Sequence, residues 1–142
     1  MTTTDSATRS LVIDRQLPAA PAKVWRALTE GPLITEWLMA NDFRPEVGHR
    51  FKLRSTPVPN WDGIIECEVL TVEPPSRLAY TWTTMGMRLV VTFTLSSTAA
   101  GTQLRMEQSG FPATGGEQYY GGANYGWQRF LTNLDRVVNE LA

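Results

Sequence analysis

Apolar and polar residues alternate along most of this chain, and the period lengthens to that of a helix only near its two ends. Leu11, Ile13 and Leu17 alternate with polar neighbours, the pattern of a half-buried strand. Pro18 and Pro21 stop it, and Pro21 suits the first turn of a helix. In that helix Val24, Trp25 and Leu28 recur at helical spacing up to Thr29. Gly31-Pro32 breaks it, and Leu33, Ile34, Trp37 and Leu38 predict a second short helix. Residues 41–47 read as a loop, after which Phe51 and Leu53 alternate with Arg50, Lys52 and Arg54.

The middle of the chain is all strand and turn. A strand is expected over residues 61–72, with Ile65, Cys67 and Val69 opposing Glu66 and Glu68, so that Cys67 points inward. Glu73-Pro74-Pro75-Ser76 is a turn, and Leu78, Tyr80 and Trp82 then share one face of the next strand. Met85-Gly86-Met87 turns the chain again, ahead of Leu89, Val91, Phe93 and Leu95 on one face. Over residues 102–109 the inward face carries Leu104, Met106 and Gln108. Strand-turn-strand spacing of this kind predicts an antiparallel meander. Residues 110–122 read as a glycine-rich loop. The last helix places Trp127, Leu131, Leu134, Val138 and Leu141 on one stripe, with Phe130 and Val137 beside it.

These elements imply an α+β fold in one domain over residues 10–142, behind a polar, frayed tail of residues 1–9. A strongly twisted sheet of six antiparallel strands has one apolar face, and only the terminal helix is long enough to cover it. The two short helices plug one end. A length of 142 residues suits one domain with a substantial core.

Charge and composition narrow the function classes. A net charge of -1, with Lys23 and Lys52 the only lysines, offers no basic field for nucleic acid. The longest apolar runs are too short to span a bilayer, and no signal-peptide pattern opens the chain. With the single cysteine Cys67 no disulfide joins the chain to itself, and the cytoplasm is the expected compartment.

Candidate chemistry is sparse. His49, the only histidine, follows Gly48 at a strand start, the place of an exposed loop-end residue. One His and one Cys do not make the usual ligand set of a zinc site, and Cys67 reads as a small buried apolar residue. The glycines Gly115-Gly116 and Gly121-Gly122 match no phosphate-binding loop. No catalytic residues, metal or cofactor are therefore expected. Polar residues on the inward face are more telling, because a buried polar group needs a partner. Gln108 and Tyr80 are the main candidates, with Arg88 a third.

The sequence resembles the START-like, or SRPBCC, superfamily, and within it the family named for the activator of Hsp90 ATPase (AHSA1-like). The opening pattern of Arg15, Leu17, Ala19, Val24, Trp25, Ala27, Leu28 and Thr29 matches that family's first motif, and Trp37 its second. The segment from Phe43 to Phe51, the EPPSRLAYTW strand pair, and Gly126, Trp127, Leu131 and Leu134 match its later ones. The resemblance implies the helix-grip (Bet v 1-like) fold.

Together these readings predict a cavity between the sheet and the terminal helix that binds a small hydrophobic or aromatic molecule. Its expected lining is Trp61, Ile65, Tyr80, Trp82, Phe93, Met106, Gln108, Tyr120, Trp127, Phe130 and Leu134, with Gln108 and the tyrosines orienting the ligand. Two alternatives follow from the resemblance. A cyclase, dehydratase or hydrolase acting on a polyketide-like aromatic needs an inward acid or base. A chaperone-associated module or a homodimer needs a contiguous exposed apolar patch.

Overall fold

The computed structural model describes residues 8–112 and 117–141. Strand β1 (Thr8–Leu17) leads into helices α1 (Pro21–Thr29) and α2 (Gly31–Trp37). Six strands follow: β2 (Ala40–Asn41), β3 (Arg50–Arg54), β4 (Ile64–Glu73), β5 (Arg77–Thr84), β6 (Met87–Thr98) and β7 (Gly101–Pro112). Helix α3 (Glu117–Glu140) closes the chain. One antiparallel sheet holds the strands in the order β1-β7-β6-β5-β4-β3-β2, so the first strand returns to pair with the last. This is the helix-grip architecture. No described helix is long and apolar enough to cross a membrane.

The period-2 alternation sorts side chains as the sequence implies. Ile65, Cys67 and Val69 of β4, Leu78, Tyr80 and Trp82 of β5, and Leu104, Met106 and Gln108 of β7 are all buried. Pro21 stands in the first turn of α1, where its missing N–H leaves no donor unpaired. Trp37 is 2% exposed at the end of α2. Its indole N–H donates to the Ala27 carbonyl at 2.8 Å, which locks α2 onto α1.

Four details depart from expectation. The sheet has seven strands, because Ala40 and Asn41 pair with Arg54 and Leu53, and two residues are too few to show an alternation. The first strand begins at Thr8, so Thr8 and Arg9 belong to the sheet; the rest of the expected tail lies outside the described residues. The fourth strand begins at Ile64. Trp61 instead sits in a tight turn before it, bridged to Val58. Finally, the expected loop over residues 110–122 is mostly regular structure. Strand β7 runs on to Pro112 and α3 starts at Glu117, with Gly115-Gly116 outside the described residues. Glycine disfavours a helix intrinsically, but tertiary packing overrides propensity. Here Tyr120 supplies it, standing edge-on to Phe111 at 5.3 Å.

Candidate functional site

The site grows from one irregularity in β7. Along that strand Leu104, Met106 and Gln108 point inward, so Gly110 would be next. Between Arg9 and Ser10 of β1, however, the pairing slips: Ser10 faces Ser109 while Arg9 faces Phe111. Gly110, at φ 103°, is the extra residue of a bulge, in a conformation that side chains disfavour. The slip turns Phe111 inward, where it is 1% exposed. Phe111 and Gln108 thus both face α3 near its first turns.

A cavity of about 290 Å³ lies there, between the first half of α3 and the ends of β4, β5, β6 and β7 that meet it. Trp61, Trp82, Phe111, Trp127 and Phe130 supply aromatic walls, and Ile65 and Leu89 aliphatic ones. Met39, Met85, Met87 and Tyr119 complete the lining beside Thr84 and Gln108. Gly122, Ala123 and Gly126 form the helix side. The helix leaves room because these three residues carry almost no side chain.

Three hydrogen bonds fix the polar groups. Trp61 Nε1 donates to Thr84 Oγ1 at 2.8 Å, and that hydroxyl donates to the Ile64 carbonyl at 3.1 Å, so the one donor of Thr84 is taken. Trp127 Nε1 donates to Gln108 Oε1 at 2.9 Å. An indole N–H only donates, so this bond forces the amide to present its oxygen to Trp127 and leaves its NH2 on the other side. That NH2 has no acceptor among the described residues, although Gln108 is 1% exposed and borders the cavity.

Of the residues expected to line a cavity, the structure brings together Trp61, Ile65, Trp82, Gln108, Trp127 and Phe130. Tyr80, Phe93, Met106, Tyr120 and Leu134 stand apart from it. Phe93, Met106 and Leu134 have no exposed surface and pack where the other half of α3 meets the sheet. Tyr80 is wedged against Phe43, Phe51 and Phe93 at 5.2–6.1 Å, and burial pushes its hydroxyl well above the ordinary tyrosine range. Tyr120 turns toward β1, beneath the Arg9 guanidinium and with its hydroxyl 3.4 Å from the Ser10 carbonyl.

Sequence reading missed Met39, Thr84, Met85, Met87, Leu89, Phe111, Tyr119 and the small residues of α3. Gly110, breaking the alternation just before Phe111, was the available signal for Phe111. Among the described residues the lining contains no carboxylate, histidine, lysine, arginine or cysteine. His49 lies outside it, stacked on Phe51 with its Nε2 2.9 Å from the Asp42 carbonyl. Burial, together with the nearby Asp42 and Glu66, pushes the Cys67 thiol up to about 12, so it is an inert, protonated wall residue of the core.

Comparison with known proteins agrees with this architecture. A family model described as activator of Hsp90 ATPase homolog 1-like protein matches residues 18–139. The crystal structure of protein MLL2253 from Mesorhizobium loti is 46% identical, with a TM-score of 0.86 over 94% of this chain and 99% of that one. The solution structure of BH1534 from Bacillus halodurans is 27% identical, with a TM-score of 0.79 over 92% and 96%. CalU16 from Micromonospora echinospora is 25% identical, with a TM-score of 0.76 over 94% of this chain and 78% of that one. No curated protein matches the chain.

Proposed function

The chain belongs to the activator of Hsp90 ATPase homolog 1-like family, and from that premise and the cavity's chemistry we propose that it binds a small aromatic molecule between its sheet and α3. The molecule is neutral and carries one hydrogen-bond acceptor. The observation that carries this reading is the divided amide of Gln108. Its oxygen is held by Trp127, and its NH2 is left at the edge of an otherwise apolar space. A ligand carbonyl or ether oxygen would accept from that NH2, a bond worth about 0.5–1.5 kcal/mol net.

Size and charge define the class further. A dry apolar cavity of about 150 Å³ accepts one benzene ring, so about 290 Å³ suits two fused rings. Among the described residues the lining has no charged partner for an ionised ligand, whose desolvation would go uncompensated. An enzymatic reading would require an acid or base within reach, and the described lining supplies none.

Coumarin and naphthalene make the test, since both have two fused rings and only coumarin has an acceptor. Quenching of the cavity tryptophans reports binding, and thermal unfolding gives an independent measure. Coumarin at a hundredfold excess over its Kd should stabilise the fold by about 2.7 kcal/mol. Gln108→Met should erase the preference for coumarin over naphthalene. Equal binding of the two probes by the wild type, or binding of neither, would sink the proposal.

A further inference from the structure

Helix α3 contains Gly121, Gly122 and Gly126 within its first ten residues, and each weakens a helix relative to alanine. The fold itself does not ask for glycine at these places. None has a positive φ. A Cβ added at Gly121 or Gly122 would meet nothing within 4 Å, and one at Gly126 would touch only Phe130 Cε2, at an ordinary 3.8 Å. Alanine fits all three sites, yet two of them differ from the third in what they face. Gly122 and Gly126, one helical turn apart, border the cavity in line with Phe130. Gly121 lies on the outer side of the helix, with Tyr125 and Gln128.

We infer that Gly122 and Gly126 are specificity-determining residues: their missing side chains, set against Trp82, Gln108 and Trp127, give the cavity room for a second ring. The inference rests on the reading of the cavity as a ligand site. Gly126 borders the inner part of the space and Gly122 its mouth, since Gly126 is half-buried and Gly122 exposed. A methyl at either position projects toward the bound molecule. Helix stability is thereby lowered at the positions where ligand volume is gained, the expected compromise when a site needs space.

Gly121→Ala is the internal control, because it makes the same change in helix propensity outside the cavity. Each of G121A, G122A and G126A should raise Tm by about 3 °C. G121A should leave the dissociation constants of benzene and coumarin unchanged. G122A and G126A should leave benzene unchanged and weaken coumarin about tenfold, the usual effect of one methylene too many in an apolar pocket. If G122A and G126A bind coumarin as tightly as G121A does, the inference is wrong. Xenon separates this failure from a failure of the ligand reading, since it fills dry cavities without needing an acceptor. Should the wild type bind neither organic probe, xenon taken up by the wild type and excluded by Gly126→Leu would still uphold the size-setting role. Equal xenon uptake by both would overturn it.

Discussion

At the end capped by α1 and α2, Trp37 stands edge-on to Phe93 at 6.1 Å, and the remaining space is filled by Leu131, Leu134 and Val138. At the other end the same helix offers Gly122, Ala123 and Gly126, and the sheet's tryptophans border open space. Trp127 belongs to both. Its ring lies 5.9 Å from Phe93 on the filled side, and 5.3 and 5.5 Å from Trp82 and Phe130 on the open side. A single helix thus anchors the fold with its second half and makes a container with its first. Aromatic content does not distinguish core from site here; the volume opposite the aromatics does.

Removing the anchor should give the largest effect. Trp37→Ala deletes a fully packed indole and should cost about 3–5 kcal/mol in urea unfolding. Trp61→Ala, at the edge of the cavity, should cost less than half as much, and equal losses would abolish the distinction between the two ends. Alkaline pH sharpens the contrast next. Free thiols ionise near about 8.5, whereas burial holds Cys67 protonated up to about 12. The stability this contributes is complete below about pH 8.5 and falls as pH rises toward about 12, by up to about 1.4 kcal/mol per pH unit. That slope should be shallower in Cys67→Ala, and a neutral thiol reagent at pH 8 should modify Cys67 only once the chain unfolds. Reaction of the folded protein would show the filled end to be open. The smallest effect belongs to the mouth. Met85 and Gly86 form the two-residue turn between β5 and β6 with φ of 51° and 76°, a turn that favours Asn-Gly. Met85→Asn should therefore stabilise by about 1 kcal/mol, read as a rise in Tm of about 3 °C. A loss of stability would mean that the thioether packs on the rim more firmly than its 51% exposure indicates.

Much of the fold was legible along the chain because its signals are local. Alternation identified the inward faces of six strands, and Pro21, Gly31-Pro32 and Trp37 marked the paired helices. Gln108 stood out for the same reason: it is a polar residue where Leu104 and Met106 set an apolar face. Which inward residues would border empty space was not legible. Trp82 and Phe93 have the same pattern on neighbouring strands, and only the course of α3 above them makes one a cavity wall and the other solid core. The early glycines of α3 misled in a different way. Their low propensity suggested a loop, while Tyr120 packed on Phe111 draws the segment into helix.

The sequence by itself determined the order of every element but the two-residue β2, the inward face of the other six strands and the two helices that close one end. Those properties follow from the 2.0 and 3.6 periods of strand and helix, which any short window contains. The tertiary structure alone decided where the space between sheet and helix stays unfilled, and which way the Gln108 amide faces. Unfilled volume is a sum over side chains distant in sequence, and it depends on a bulge at Gly110 and on glycines that act through what they omit. The amide's orientation is likewise dictated from a distance, by an indole N–H that can only donate.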